Sequence, residues 1–346
     1  MAAPQPDDYW TFFAREAQRG KSPLYERLAL GIRDDEELLA IAARVKPGQP
    51  QANLILSAVH YLLLSGQDHA LAAHYPSVRP QARAAGDAFA LFRDFVLKHE
   101  AEVTRLVETR VTNTNEVARS IALYPAFDFI WRETRDELHL IEIGPSAGFN
   151  LNWDKYAYHY RRNGAVVLSR GPQGAGLTLE PELRGEARPP LAESFPLVGS
   201  RIGLELNPVD LDKPEDRLWL KALIWPELGP RFQRLEAAIA TARAHPHRVW
   251  TGDALRLLPD ALNELPPSGV PVVYHSHVTY QFSREMRAHL NESLEALARK
   301  RPLYRLSIEW DANDYPVRIG RYENGLSDKR TLASCDPHGA WLEWRA

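Results

Sequence analysis

Cysteine is nearly absent: the 346-residue chain carries one, Cys335. That excludes an intramolecular disulfide and suits a reducing compartment. A charge excess is missing too. Lys+Arg 42 stand against Asp+Glu 45, a formal net charge of -3, so no global basic field draws the chain to nucleic acid or a membrane surface. Nowhere do about 18 uncharged apolar residues run together, so no membrane span is expected. The opening MAAPQPDDYW is acidic and lacks an apolar core, so no signal peptide is expected there. No repeat or low-complexity tract occurs. These absences lead to the expectation of a cytoplasmic protein whose partner is a small molecule, with no nucleic acid and no membrane. Nothing in the sequence specifies an oligomeric state.

What is present supports a full core. Hydrophobic residues make up 45% of the chain and charged residues 25%, and the length suggests about two domains on a prior of roughly 150 residues each. The periodicity changes near residue 135. Before it, from Asp7 to about Trp131, it is helical. Leu38, Leu39, Ile41, Ala42 and Val45 follow the acidic start Asp34-Asp35-Glu36-Glu37, Leu54 to Leu64 reads as a buried helix, and Phe89, Phe92, Phe95 and Val96 form a further stripe. After it, strands alternate with helices. Candidate strands are Leu138–Ile143, Arg201–Leu206, Arg248–Trp250, Val270–His275, Leu303–Ile308, Pro316–Ile319 and Trp341–Trp344. The expected fold class is α/β: a Rossmann-like, mostly parallel sheet flanked by helices over 136–346, preceded by an all-helical N-terminal domain over 1–135 on the substrate side. A Gly/Pro-rich insertion at about 158–197 is expected to carry a hairpin pairing Val166–Leu168 with Leu177–Leu179.

The most informative stretch is Leu140-Ile141-Glu142-Ile143-Gly144-Pro145-Ser146-Ala147-Gly148-Phe149-Asn150-Leu151. An apolar run ends in an acid, turns at Gly144 and Gly148, and re-enters a helix-compatible segment. That is how a parallel strand hands over to a helix whose N–H groups face a ligand, and a Cβ at either glycine would hold a cofactor off the backbone.

Residues 138–346 resemble a class I S-adenosylmethionine-dependent methyltransferase domain. The resemblance rests on motifs in order: Glu142-Ile143-Gly144-Pro145-Ser146-Ala147-Gly148 after the first strand, Glu205 in Gly203-Leu204-Glu205-Leu206-Asn207-Pro208 after the second, Gly252-Asp253-Ala254 after the third, and Val272-Val273-Tyr274-His275-Ser276-His277 for the fourth. The whole chain, Thr112-Asn113-Thr114-Asn115-Glu116 included, also resembles a bacterial family of unknown function. The resemblance implies S-adenosylmethionine as cofactor, with Glu205 on the ribose hydroxyls and Asp253 near the adenine amine. The Gly144–Gly148 turn would meet the methionine carboxylate and Glu142 its ammonium, while Asn150, Asn207, Gly252 and Ala254 complete the cofactor contacts. Ser146 stands where the pattern has its middle glycine, and the gap from Gly148 to Glu205 is longer than in a simple dinucleotide unit.

For the chemistry, His277, His275 and Tyr280 are the candidate catalytic residues. The two histidines lie two apart, on one side of an extended strand, and one of them can serve as base if the acceptor carries a proton; the other reading has them merely lining the cleft. On a helix starting near Asn115, Glu116 and Arg119 share a face. They either form a capped helix with a surface ion pair or close over the cofactor. Three rivals stand beside the transferase. Gly144-Pro145-Ser146-Ala147-Gly148 also fits a Gly-x-Ser-x-Gly hydrolase elbow, with His277 or His338 as base and Asp311 or Glu309 orienting it. A metal site of His275, His277 and Glu309 and non-catalytic cofactor binding are the others. No metal is expected, and the sequence names neither the acceptor nor its attacking atom.

Overall fold

The computed structural model describes residues 6–113, 116–312 and 314–346. In chain order, α1 (Pro6–Arg19), α2 (Pro23–Arg33), α3 (Glu36–Ala42), α4 (Gln51–Leu64), α5 (Ala88–Lys98) and α6 (Glu100–Thr109) come first. Then α7 (Ser120–Thr134) leads to β1 (Leu138–Ile143), β2 (Ala157–Arg162), β3 (Ala165–Arg170), β4 (Thr178–Leu179), β5 (Glu182–Arg184) and β6 (Val198–Glu205). The remainder is α8 (Pro214–Ala222), α9 (Gly229–Ala244), β7 (Arg248–Thr251), α10 (Ala254–Glu264), β8 (Val270–Ser276), α11 (Arg284–Leu297), β9 (Leu303–Ile308), β10 (Pro316–Glu323), β11 (Leu326–Cys335) and β12 (Trp341–Trp344).

The chain forms two compact units, Met1–Thr114 with Asp210–Leu235, and Asn115–Val209 with Glu236–Ala346. In the first, α4 is apolar on every side, and ten of its residues from Ala52 to Leu63 are buried, so it forms the centre around which the amphipathic helices pack. Asp35 caps α3 by accepting from Leu38 N at 3.0 Å, the use that its acidic start foretells. The helix Pro214–Ala222 also belongs here: Trp219 lies in the same core and its indole donates to Val111 O at 3.0 Å. A split at residue 135 therefore differs from the observed grouping twice, since α7 goes with the sheet and 210–235 returns to the helices. α7 is buried on every side from Ser120 to Asp128 and α8 buries one face, and periodicity does not say against what either is packed.

The second unit is α/β with a mixed, mostly parallel sheet in the order β3-β2-β5-β12-β11-β10-β9-β8-β1-β6-β7, with β4 paired to β2. Strands β7, β6, β1, β8 and β9 are parallel to one another. β1 sits between β6 and β8, and all six of its residues are buried, as expected of a strand covered on both faces. From β9 the chain turns back as an antiparallel meander through β10, β11 and β12. The insertion corrects the hairpin expectation. β3 pairs antiparallel with β2, and β4 lies parallel to β2, so Val166–Leu168 and Leu177–Leu179 do not face each other. β5 docks on β12, which makes the insertion an extension of the main sheet. No helix among the described residues is long and apolar enough to cross a membrane.

Candidate functional site

The turn after β1 has an unusual backbone. φ is +69° at Gly144, +53° at Ser146 and +74° at Gly148, alternating with Pro145 and Ala147 on the ordinary side. Left-handed residues at every second position aim successive N–H groups into one concavity, the geometry that cradles anions. Gly144 is required twice over, because an added Cβ would lie 2.7 Å from Val278 Cγ2. Ser146 pays a steric cost that glycine would not. The anion at this concavity is a side chain of the protein. Glu205, buried at the end of β6, accepts from Ser146 N at 2.8 Å through Oε2 and from Asn207 N at 2.9 Å through Oε1.

Beside it, Glu142 is buried within β1 and accepts from Tyr274 Oη at 2.9 Å, its one hydrogen bond among the described residues. Burial pushes its carboxyl up to about 8; the tyrosine bond and the Arg119 charge oppose this and the Glu205 charge adds to it. Two buried acids thus converge on one turn, one of them held partly protonated near neutral pH.

The other expected cofactor residues are placed as follows. Asp253 caps α10, accepting from Leu255 N at 2.9 Å, and its other oxygen lies 3.8 Å from Arg256 Nε. Gly252 (φ +147°) precedes it and Ala254 opens the helix. Asn207 is exposed and contributes through its backbone. Asn150 is buried and accepts from Ser120 Oγ at 2.9 Å, an internal bond. Asn115 lies outside the described residues. Glu116 and Arg119 are both buried, which removes the surface ion-pair reading. Glu116 caps the short turn Val117–Arg119, accepting from Ala118 N at 3.2 Å. Arg119 donates to Ser276 O at 3.3 Å and to Pro337 O at 3.2 Å, so it joins the end of β8 to the loop before β12.

The paired-histidine expectation is corrected. β8 ends at Ser276, and His277 has φ +56°, so the alternation that would place both rings on one side stops between them. His275 is fully buried. Arg305 Nε and Nη2 donate to its Nε2 at 3.0 and 2.9 Å, which leaves its proton on Nδ1, 2.6 Å from Glu309 Oε1. The same oxygen accepts from Val278 N and Thr279 N. Burial raises the Glu309 carboxyl, but the His275 bond and charge with these two N–H groups outweigh it and leave it at about 2. His277 stacks on Tyr315, centroids 4.8 Å apart, and its buried Nε2 has no hydrogen-bond partner among the described residues. Burial, then the Arg119 and His338 charges, hold it down at about 3, Glu309 pulling the other way. Tyr280 is 62% exposed, just past β8. Among the described residues no three His, Cys, Asp or Glu side chains are grouped to hold a metal, and both nitrogens of His275 are engaged. Arg305, Tyr274 and Tyr315 escaped the sequence reading. Arg305 had a signal, for Arg305, Ser307 and Glu309 alternate with the apolar residues of β9 and so share one face.

The chain belongs to the family described as uncharacterized protein conserved in bacteria (DUF2332), which matches residues 8–344. No curated protein and no solved structure matches it.

Proposed function

We propose that this protein binds S-adenosylmethionine at the turn after β1 and transfers its methyl group to a small-molecule acceptor. The order β7-β6-β1-β8-β9 is Rossmann-like. The chain runs outward from β1 to β7 and restarts at β8 on the other side of β1, and ligands of such sheets enter at the carboxyl ends beside that switch. The observation that carries the reading is the acid pair there: Glu205 on the N–H of a left-handed Ser146, with Glu142 buried alongside.

These residues fit the cofactor. Glu205 keeps lone pairs for ribose hydroxyls beyond its two backbone bonds, and the second oxygen of Asp253 can take an adenine amine. Glu142 would accept an ammonium, whose charge would draw its proton off. Bound there, the cofactor supplies an activated methyl group for displacement at carbon. Arg119, His277 and Tyr280 border the acceptor side. At a pKa near 3 the His277 ring is a weak base at neutral pH, so its part is to hydrogen-bond the acceptor and exclude water rather than to remove a proton. The test is calorimetric titration with S-adenosylmethionine, S-adenosylhomocysteine and NAD. Saturable binding of the first two and not the third is expected; the reverse, or no binding, would end the proposal.

The hydrolase reading has one observation in its favour, the left-handed φ of Ser146, since a nucleophile elbow is a strained turn. Against it, the Glu205 carboxylate sits on the N–H of Ser146 itself, placing negative charge beside the nucleophile, where an oxyanion would have to develop. Stoichiometric labelling of Ser146 by a fluorophosphonate probe would favour the hydrolase; none is expected.

A further inference from the structure

A cavity of about 270 Å³ lies within the sheet unit, on the face where β9, β10 and β11 meet α11. At ~30 Å³ per water it has room for on the order of nine waters, the scale of a small metabolite. Register explains the opening. Arg305, Gly320 and Lys329 stand opposite one another across three strands, and His275, Ser307 and Arg318 form the neighbouring row. Gly320 carries no side chain, and the Tyr322 ring and the Lys329 stem border the space that one would enter.

The lining is cationic. Arg305, Arg318 and Lys329 face one carboxylate, Glu309. Glu309 Oε1 accepts from the His275 Nδ1–H and two backbone N–H groups, while its buried Oε2 has no hydrogen-bond partner among the described residues. Arg305 is pinned rather than neutralised, because its hydrogen-bond acceptors are the unprotonated Nε2 of His275 and Asn291 Oδ1, at 2.6 Å in the latter case. Arg318 pairs with Asp311. Lys329, an exposed residue of β11, also lines the cavity. A fixed guanidinium and an exposed ammonium lining one cavity make a recognition site for an oxyanion.

We infer that this cavity is a binding site for a small oxyanion-bearing metabolite, a phosphate ester or a di- or tricarboxylate, recognised by Arg305, Arg318 and Lys329. It does not depend on the methyltransferase reading, because none of the three cations belongs to the β1 turn.

The experiment is thermal unfolding and calorimetry of the full chain with inorganic phosphate and, separately, succinate, each matched in ionic strength by sodium chloride to remove general screening. Saturable stabilisation by at least one anion is expected, and whichever binds more tightly identifies the source as phosphoryl or carboxylate. In Lys329→Glu and in Arg318→Gln, both exposed positions, the dissociation constant should rise about 10–100-fold, the loss of a charge-assisted contact, with the anion-free melting temperature nearly unchanged. Wild-type affinity in Lys329→Glu, or no saturable binding of either anion beyond the chloride control, would overturn the site.

Discussion

Glu142 in β1 and Glu309 just beyond β9 are both carboxylates drawn into the sheet unit, yet they are treated in opposite ways. Glu309 offers one oxygen to three donors and is held at about 2. Glu142 has a single tyrosine bond and a carboxylate neighbour, and stands at about 8. The first is explained by the fold alone, because its charge orders the β8–β9 ends around His275. The second costs stability within the fold, a cost that the proposed ligand would offset. Perturbed groups of the second kind mark sites more reliably than polar clusters as such.

The largest expected effect comes from the carboxylate with the most donors. Removing Glu309 leaves the His275 Nδ1–H and two backbone N–H groups without their acceptor, so Glu309→Ala should lower unfolding stability by about 2–4 kcal/mol. Glu309→Gln, which keeps an acceptor, should cost less. The folded pKa lies below the unfolded value of 4.5, so the carboxylate's contribution, about 3 kcal/mol, is complete above pH 4.5 and is lost as pH falls from there toward 2. Urea midpoints that are equal for Glu309→Ala and wild type at pH 7 would remove this role.

Glu142 should behave with the opposite sign. Its folded pKa lies above 4.5, so below pH 4.5 both states are protonated and nothing is lost. From pH 4.5 to about 8 the unfolded chain ionises and the native site does not, and stability falls. Glu142→Gln should therefore raise stability by about 1–3 kcal/mol at pH 7.5, after the cost of burying an amide, and by almost nothing at pH 4.5. The same variant should bind S-adenosylhomocysteine more weakly. A stabilised variant with undiminished binding would show that Glu142 costs stability without serving this ligand.

Part of this contrast was legible in the sequence. β1, β9 and β12 match their expected limits because each is a short segment dominated by apolar and aromatic residues, and Glu142, Gly144 and Glu205 stand where the motif places them. β11 was missed because Ser327-Asp328-Lys329-Arg330 has no apolar alternation; its first six residues are exposed and are held as a strand by pairing with β10, β12 joining only at Ala333–Cys335. The turn at His277 was illegible for another reason. Nothing in His275-Ser276-His277 announces a left-handed residue, so two histidines two apart read as one face when the backbone separates them. Which carboxylate gathers donors could not be seen either, since those to Glu309 come from β8 and its loop about 30 residues away.

The acids that hold the proposed adenosine give a third test. Glu205→Ala and Asp253→Ala should each weaken S-adenosylhomocysteine binding by about 1–3 kcal/mol as a ligand donor loses its acceptor. Their ligand-free stabilities should separate. Glu205 bridges two backbone N–H groups and its loss should be felt, whereas Asp253 is an exposed cap worth about 1 kcal/mol. Wild-type affinity in both would sink the adenosine assignment.

The smallest expected effect sharpens the turn itself. Ser146 holds φ at +53° with a Cβ, a conformation costing roughly 1–2 kcal/mol for an L-residue. Ser146→Gly removes that strain but gives the unfolded chain more freedom to lose, worth roughly 0.5–1 kcal/mol. The balance is a net stabilisation of a few tenths to about 1 kcal/mol. Ser146→Ala keeps the Cβ and the strain and should not stabilise. Because Glu205 bonds the backbone N–H rather than the hydroxyl, the glycine variant should also retain cofactor affinity within a few-fold. If Ser146→Gly instead lost stability or all binding, the hydroxyl rather than the backbone would be the working part of this turn.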